Sequence, residues 1–207
     1  MIADASALYD AGTTALEQGR TGEAVAFLTA ARRIDPRAAD IRRNLMLAET
    51  RVAAATGADA PPPPPSAFAL SAGESWWLAA LLLASAAALG ATAILRAGRR
   101  VRILRGLGIA LGAAGLLLLG WRTTRALEER AHPEAVVIAP ALEARRGPDE
   151  PSRPPVVLRA GEIVRLGRVS GNDVEVRLGG SAIGWAAREG LWRVADAARY
   201  TPDFRPR

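Results

Sequence analysis

The chain has 207 residues, half of them apolar, with 27 basic side chains against 21 acidic ones and a net charge of +6. Every basic residue is arginine, and Arg96, Arg99, Arg100, Arg102 and Arg105 crowd one short turn between apolar runs. The basicity is therefore a topology signal and no nucleic-acid footprint is needed to explain it. The chain has no cysteine, which excludes disulfides, thiolate metal sites and cysteine nucleophiles.

Residues 1–58 place apolar side chains at three- and four-residue spacing. This predicts helices over 4–18, 21–34 and 38–55, with Asp4 capping the first. Gly19 and Thr21-Gly22 mark one turn and Asp35-Pro36 the next. Leu8, Gly12, Ala24, Leu28, Ala31 and Pro36 fall at spacings by which the segment resembles a tetratricopeptide repeat. The third helix looks like its cap, with Leu45 fitting and Met46 standing where a small residue is expected. The resemblance implies close helix crossings at the small residues. It also implies a shallow peptide-binding groove near Tyr9, Thr13, Arg43 and Asn44, positions that otherwise read as ordinary solvent-facing residues. Arg32, Arg33, Arg37, Arg42 and Arg43 read as a solvated face before they read as a docking site for an acidic partner.

Residues 59–75 form a linker whose five consecutive prolines, 61–65, favour an extended polyproline spacer. The run 76–95 then has no charge and no proline. At about 1.5 Å per residue it spans roughly 30 Å, the thickness of a bilayer's hydrocarbon core. The run 103–121 is nearly as long and carries only Arg105, near its end. Together, 76–121 predicts a transmembrane hairpin. Trp76, Trp77 and Trp121 stand at one end as an aromatic belt and the arginines at the other. The positive-inside rule puts the turn in the cytoplasm and both flanks outside. Gly108 and Gly112 form a GxxxG, and Ala86 and Gly90 offer the same spacing on the first helix, which predicts close packing. Residues 1–6 lack the features of a signal peptide. The topology thus leads us to expect an export signal upstream of Met1; the alternative is a cytosolic amino-terminal segment with arginines that break the rule.

Residues 122–134 predict a juxtamembrane extension of the second helix by about two turns, ended by His132-Pro133. His132 is the only histidine, and no motif supplies it with a nucleophile and an orienting carboxylate. No enzyme is expected, and no catalytic, cofactor or metal residues.

From Ala135 the period shortens. Short β-prone runs at 135–138, 155–159, 162–166, 174–178, 182–185 and 191–194 are punctuated by Gly161, Gly171-Asn172 and Gly179-Gly180. The loop 139–154 is expected to be irregular, and 197–207 a frayed tail. Residues 135–196 predict a small barrel. The run 158–164, the strand 174–178, the two-glycine hairpin and Gly184-Trp185 resemble a bacterial SH3-like domain, with Gly161, Gly184 and Trp185 as its motif positions. The tryptophan that often opens the family's strand is missing before Val174. Trp185 and Trp192 are therefore expected to fill the barrel rather than to line a ligand cleft.

The expected fold class is a multidomain membrane protein: an all-α repeat, a two-helix hairpin and a small all-β barrel. In that order the segments resemble the BatE-type proteins of bacterial aerotolerance operons, a likeness of architecture over nearly the whole chain. It implies a non-enzymatic inner-membrane scaffold. The implied partners are von Willebrand factor A-type (VWA-type) Bat membrane proteins and a MoxR-type ATPase, with both soluble modules periplasmic. The alternative is a cell-wall-sensing anchor whose SH3-like segment binds peptidoglycan.

Overall fold

The structure, a computed structural model, describes residues 4–57, 70–95, 99–146, 154–197 and 199. The expected proline spacer, Arg96 of the turn and most of the carboxy-terminal tail lie outside these residues. The chain divides into two compact units: residues 1–69 with 129–207, and the intervening 70–128.

In the first unit, helices α1 (Ala5–Glu17), α2 (Thr21–Ile34) and α3 (Ala39–Thr56) follow the expected boundaries closely. The Asp4 carboxylate caps α1 by accepting from the Ala5 amide, and Gly57, at φ 70°, closes α3 in the left-handed conformation. Between α2 and α3 the Asp35 carboxylate accepts from the amides of Arg37 and Ala38, which turns the chain before the next helix.

The β region forms a five-stranded antiparallel sheet in the order β6-β5-β4-β1-β7 and a two-stranded β2-β3 ribbon. The strands are β1 (Glu134–Val137), β2 (Ala141–Ala144), β3 (Val156–Arg159), β4 (Ile163–Ser170), β5 (Asp173–Leu178), β6 (Ser181–Ala187) and β7 (Leu191–Arg193). Gly179 and Gly180, both at positive φ, make the tight β5–β6 turn. Strand β2 lies inside the segment expected to be irregular. It forms because Leu142 pairs opposite Leu158 and because its continuation, Arg145, bridges to Trp185 on β6. Both central side chains of the ribbon are buried, so the ribbon packs on the sheet instead of standing alone.

The two flanking segments share a core. Val136, Trp192, Val194 and Ala197 belong to the same buried cluster as Leu8, Val25, Leu28 and Leu45. Phe27 of α2 meets Trp192 of β7 edge-on, ring centroids 4.9 Å apart. Trp192 thus fills the junction with the helices. Arg33 and Glu134 form an ion pair across the same junction. Helix α2 is the reason for this arrangement. From Ala24 to Ala31 every residue is buried, because one side faces α1 and α3 and the other faces the sheet. A second cluster, built on Val137, Leu158, Val164, Val174 and Val176, fills the β region itself.

The second unit is a helix pair, α4 (Ala72–Leu95) and α5 (Arg99–Ala131), the last three residues of α5 being counted with the first unit. Ser71 and Glu74 start α4 with a reciprocal capping box: the Ser71 amide donates to the Glu74 carboxylate, and the Glu74 amide to the Ser71 hydroxyl. Helix α5 runs without a break through the expected juxtamembrane stretch to His132-Pro133. Both helices are long and apolar enough to cross a membrane. Only 11% and 6% of their most apolar windows are buried, so most of their apolar surface is left exposed in the structure.

Candidate functional site

Three of the four groove positions are brought together. Asn44 on α3 donates from Nδ2 to the Tyr9 hydroxyl (3.2 Å) and to the Thr13 hydroxyl (2.9 Å), both on α1. The three side chains are half-buried and tie α1 to α3, while Arg43 beside them is exposed. Behind them Leu8, Gly12, Ala24, Leu28 and Ala31 are buried and Pro36 is half-buried. A Cβ on Gly12 would stand 2.7 Å from Leu28 Cγ, so glycine permits that helix crossing. Further along α3, burial pushes the Glu49 carboxyl above its ordinary value, and the Arg32 guanidinium works against that rise.

On the sheet, Gly184 lets the chain after β2 cross closely, since a Cβ there would fall 2.5 Å from the Arg145 carbonyl oxygen. Trp185 next to it is half-buried, with the Arg168 guanidinium 5.9 Å from its ring centroid. The Arg168 backbone amide donates to the Glu175 carboxylate (3.2 Å), and this bond, more than the guanidinium, holds Glu175 below the usual carboxylate range. Gly161, at φ 93°, makes the turn into β4, where its bare Cα lies against Val52 of α3. Its role therefore extends beyond the sheet.

In the helix pair, Gly108 faces Leu89 and Ala86, and Gly112 faces Ala86. Gly115 completes this face and makes the tightest contact, with its added Cβ 3.0 Å from Leu83 Cγ. Its signal was present in the sequence as an i, i+4, i+7 series of glycines. Among the topology arginines, Arg102 and Arg105 are exposed on α5, and Arg99 and Arg100 begin it. At the other end Arg122 and Arg125 lie 5.9 and 5.7 Å from the Trp121 ring centroid.

These contacts make a direct prediction. A Cβ added at Gly112 lies 3.5 Å from that of Ala86, inside the roughly 3.5–4.5 Å window of a disulfide. The double variant Ala86→Cys/Gly112→Cys is expected to cross-link α4 to α5 on mild oxidation, free of interference from native thiols. Adding Gly115→Leu should slow the reaction. Equal rates with and without it would mean that Gly115 does not set the spacing.

Within the first unit, His132 donates from Nδ1 to the Leu166 carbonyl oxygen at 3.3 Å. Among the described residues no group of three or more His, Cys, Asp or Glu is placed to hold a metal ion. Compared with protein-family models, with curated proteins and with solved structures, the chain matches none.

Proposed function

We propose that this chain is a non-enzymatic scaffold of the bacterial inner membrane, a tetratricopeptide-like repeat and an SH3-like barrel carried on a transmembrane hairpin. It would serve an aerotolerance-type complex with VWA-type Bat proteins and a MoxR-type ATPase. The observation that supports it best is the core common to α1–α3 and the sheet. Phe27 and Trp192 touch, so residues before and after the helix pair occupy one compartment. The chain between them must then cross a membrane an even number of times, and it contains two helices fit to do so. The presented surface is a single composite body, so a partner meets the repeat and the barrel in one fixed geometry. Two modules on independent tethers would act through effective concentration instead.

The test is topology followed by isolation of the complex. Ala54, Arg102 and Ser181 are exposed and suit single-cysteine labelling with a membrane-impermeant maleimide on spheroplasts. Ala197 is fully buried and does not. Labelling at 54 and 181 but not at 102 is expected, and the full chain should then co-purify with other membrane proteins of the complex. Labelling at 102 alone would put the composite body in the cytosol and exclude the wall-binding alternative. Labelling of 54 without 181 would sink the hairpin reading. The half-buried Trp185 under Arg168 keeps peptidoglycan as a second reading, checked by sedimentation of the full chain with purified sacculi.

A further inference from the structure

Where α2, α3 and the β region meet, the first unit leaves a cleft of about 420 Å³. Three arginines from separate elements line it: Arg20 before α2, Arg51 on α3 and Arg159 at the end of β3. Among the described residues one carboxylate, Glu23, is also there, and it pairs with Arg20. Arg51 and Arg159 are left as an excess of two positive charges. The Arg51 Nη1 donates to the Leu16 carbonyl oxygen at 2.8 Å, which holds that guanidinium in position while its other N–H groups stay available. The opposite character is also present, because Val52 and Ile138 give the cleft an apolar wall. Helix α2 starts at the rim with no side-chain cap, and Glu23 in its first turn offsets its positive end.

We propose that this cleft binds a small phosphomonoester. A dianionic phosphate matches the two uncompensated guanidinium groups, whose planar forks suit phosphate oxygens. A free inorganic ion would leave most of the volume empty, whereas a ring or short apolar body fits against Val52 and Ile138. The size lies within the roughly 300–1,000 Å³ typical of small-ligand sites. The phosphomonoester can come from a soluble metabolite or from a lipid of the phosphatidic acid type, which presents the same group.

Calorimetric titration of the full chain in detergent micelles with phenyl phosphate, inorganic phosphate and benzoate tests this. Phenyl phosphate should bind saturably, and both inorganic phosphate and benzoate about tenfold more weakly. Arg159→Gln should weaken phenyl phosphate by about tenfold, and Arg51→Gln by at least as much. Arg159 is exposed, so its variant tests the site without disturbing the core. No saturation up to about 10 mM, or undiminished binding by Arg159→Gln, would overturn the proposal. Competition by nanodiscs containing phosphatidic acid, beyond that by phosphatidylcholine alone, would assign the site to a lipid headgroup; without it the site belongs to a soluble phosphomonoester. The titration does not depend on which side of a membrane the unit occupies.

Discussion

Trp192→Ala is expected to destabilise the first unit by about 3–5 kcal/mol, and the damage should reach the helices at the far end of the sequence. The indole is 8% exposed and meets Phe27, itself 3% exposed, edge to face. Truncation removes the ring's own burial and also opens a cavity beside α2. The decisive measurement is hydrogen exchange by mass spectrometry on the full chain. Peptides covering α2, 21–34, should gain exchange alongside those covering β1 and β7. Loosening confined to the strands would show that the helices and the sheet are energetically independent.

The second large effect reverses an ordinary rule. Glycine to alanine in a helix usually stabilises by about 0.5–1 kcal/mol. At Gly22 in α2 the new Cβ would fall 2.5 Å from the Val137 carbonyl oxygen and 3.0 Å from Ile138 Cα. These are backbone atoms, and that carbonyl is already held by the Gly161 amide at 2.8 Å, so it cannot give way cheaply. Gly22→Ala should therefore cost about 1–3 kcal/mol, lowering the melting temperature by about 2–4 °C per kcal/mol. A rise in melting temperature would mean that α2 and β1 do not approach so closely.

Much of this architecture is written in local pattern. The 3.6-residue period and the Asp35-Pro36 stop define α1 to α3, and long uncharged runs define α4 and α5. The glycine turns at 171 and 179–180 space β4, β5 and β6. Strand β2 could not be read in this way, since Ala141-Leu-Glu-Ala144 has no β-branched residue and owes its state to Leu158 and Trp185 across from it. The common core was hidden for another reason. Val136, Trp192 and Val194 announce that they are buried, but a hydrophobic side chain does not name its partner. A fainter sign was available: Ala24 to Ala31 contains one polar residue, Thr29, and no solvent-facing stripe, which marks a helix enclosed on every side. Of the groove positions, it was the family resemblance, not spacing, that put Tyr9, Thr13 and Asn44 near one another. Their mutual bonds depend on side-chain geometry that spacing does not encode.

The Phe27–Trp192 contact also imposes a timetable on biosynthesis. The two residues are 165 positions apart (192 − 27). At about 5–20 residues per second, roughly 10–30 s pass between their emergence from the ribosome. Throughout that interval the sheet-facing side of α2 has no cover, and the apolar hairpin emerges in the middle of it. On the membrane reading proposed above, insertion of the hairpin would precede closure of the core, and α2 would stay uncovered until the last strand arrives.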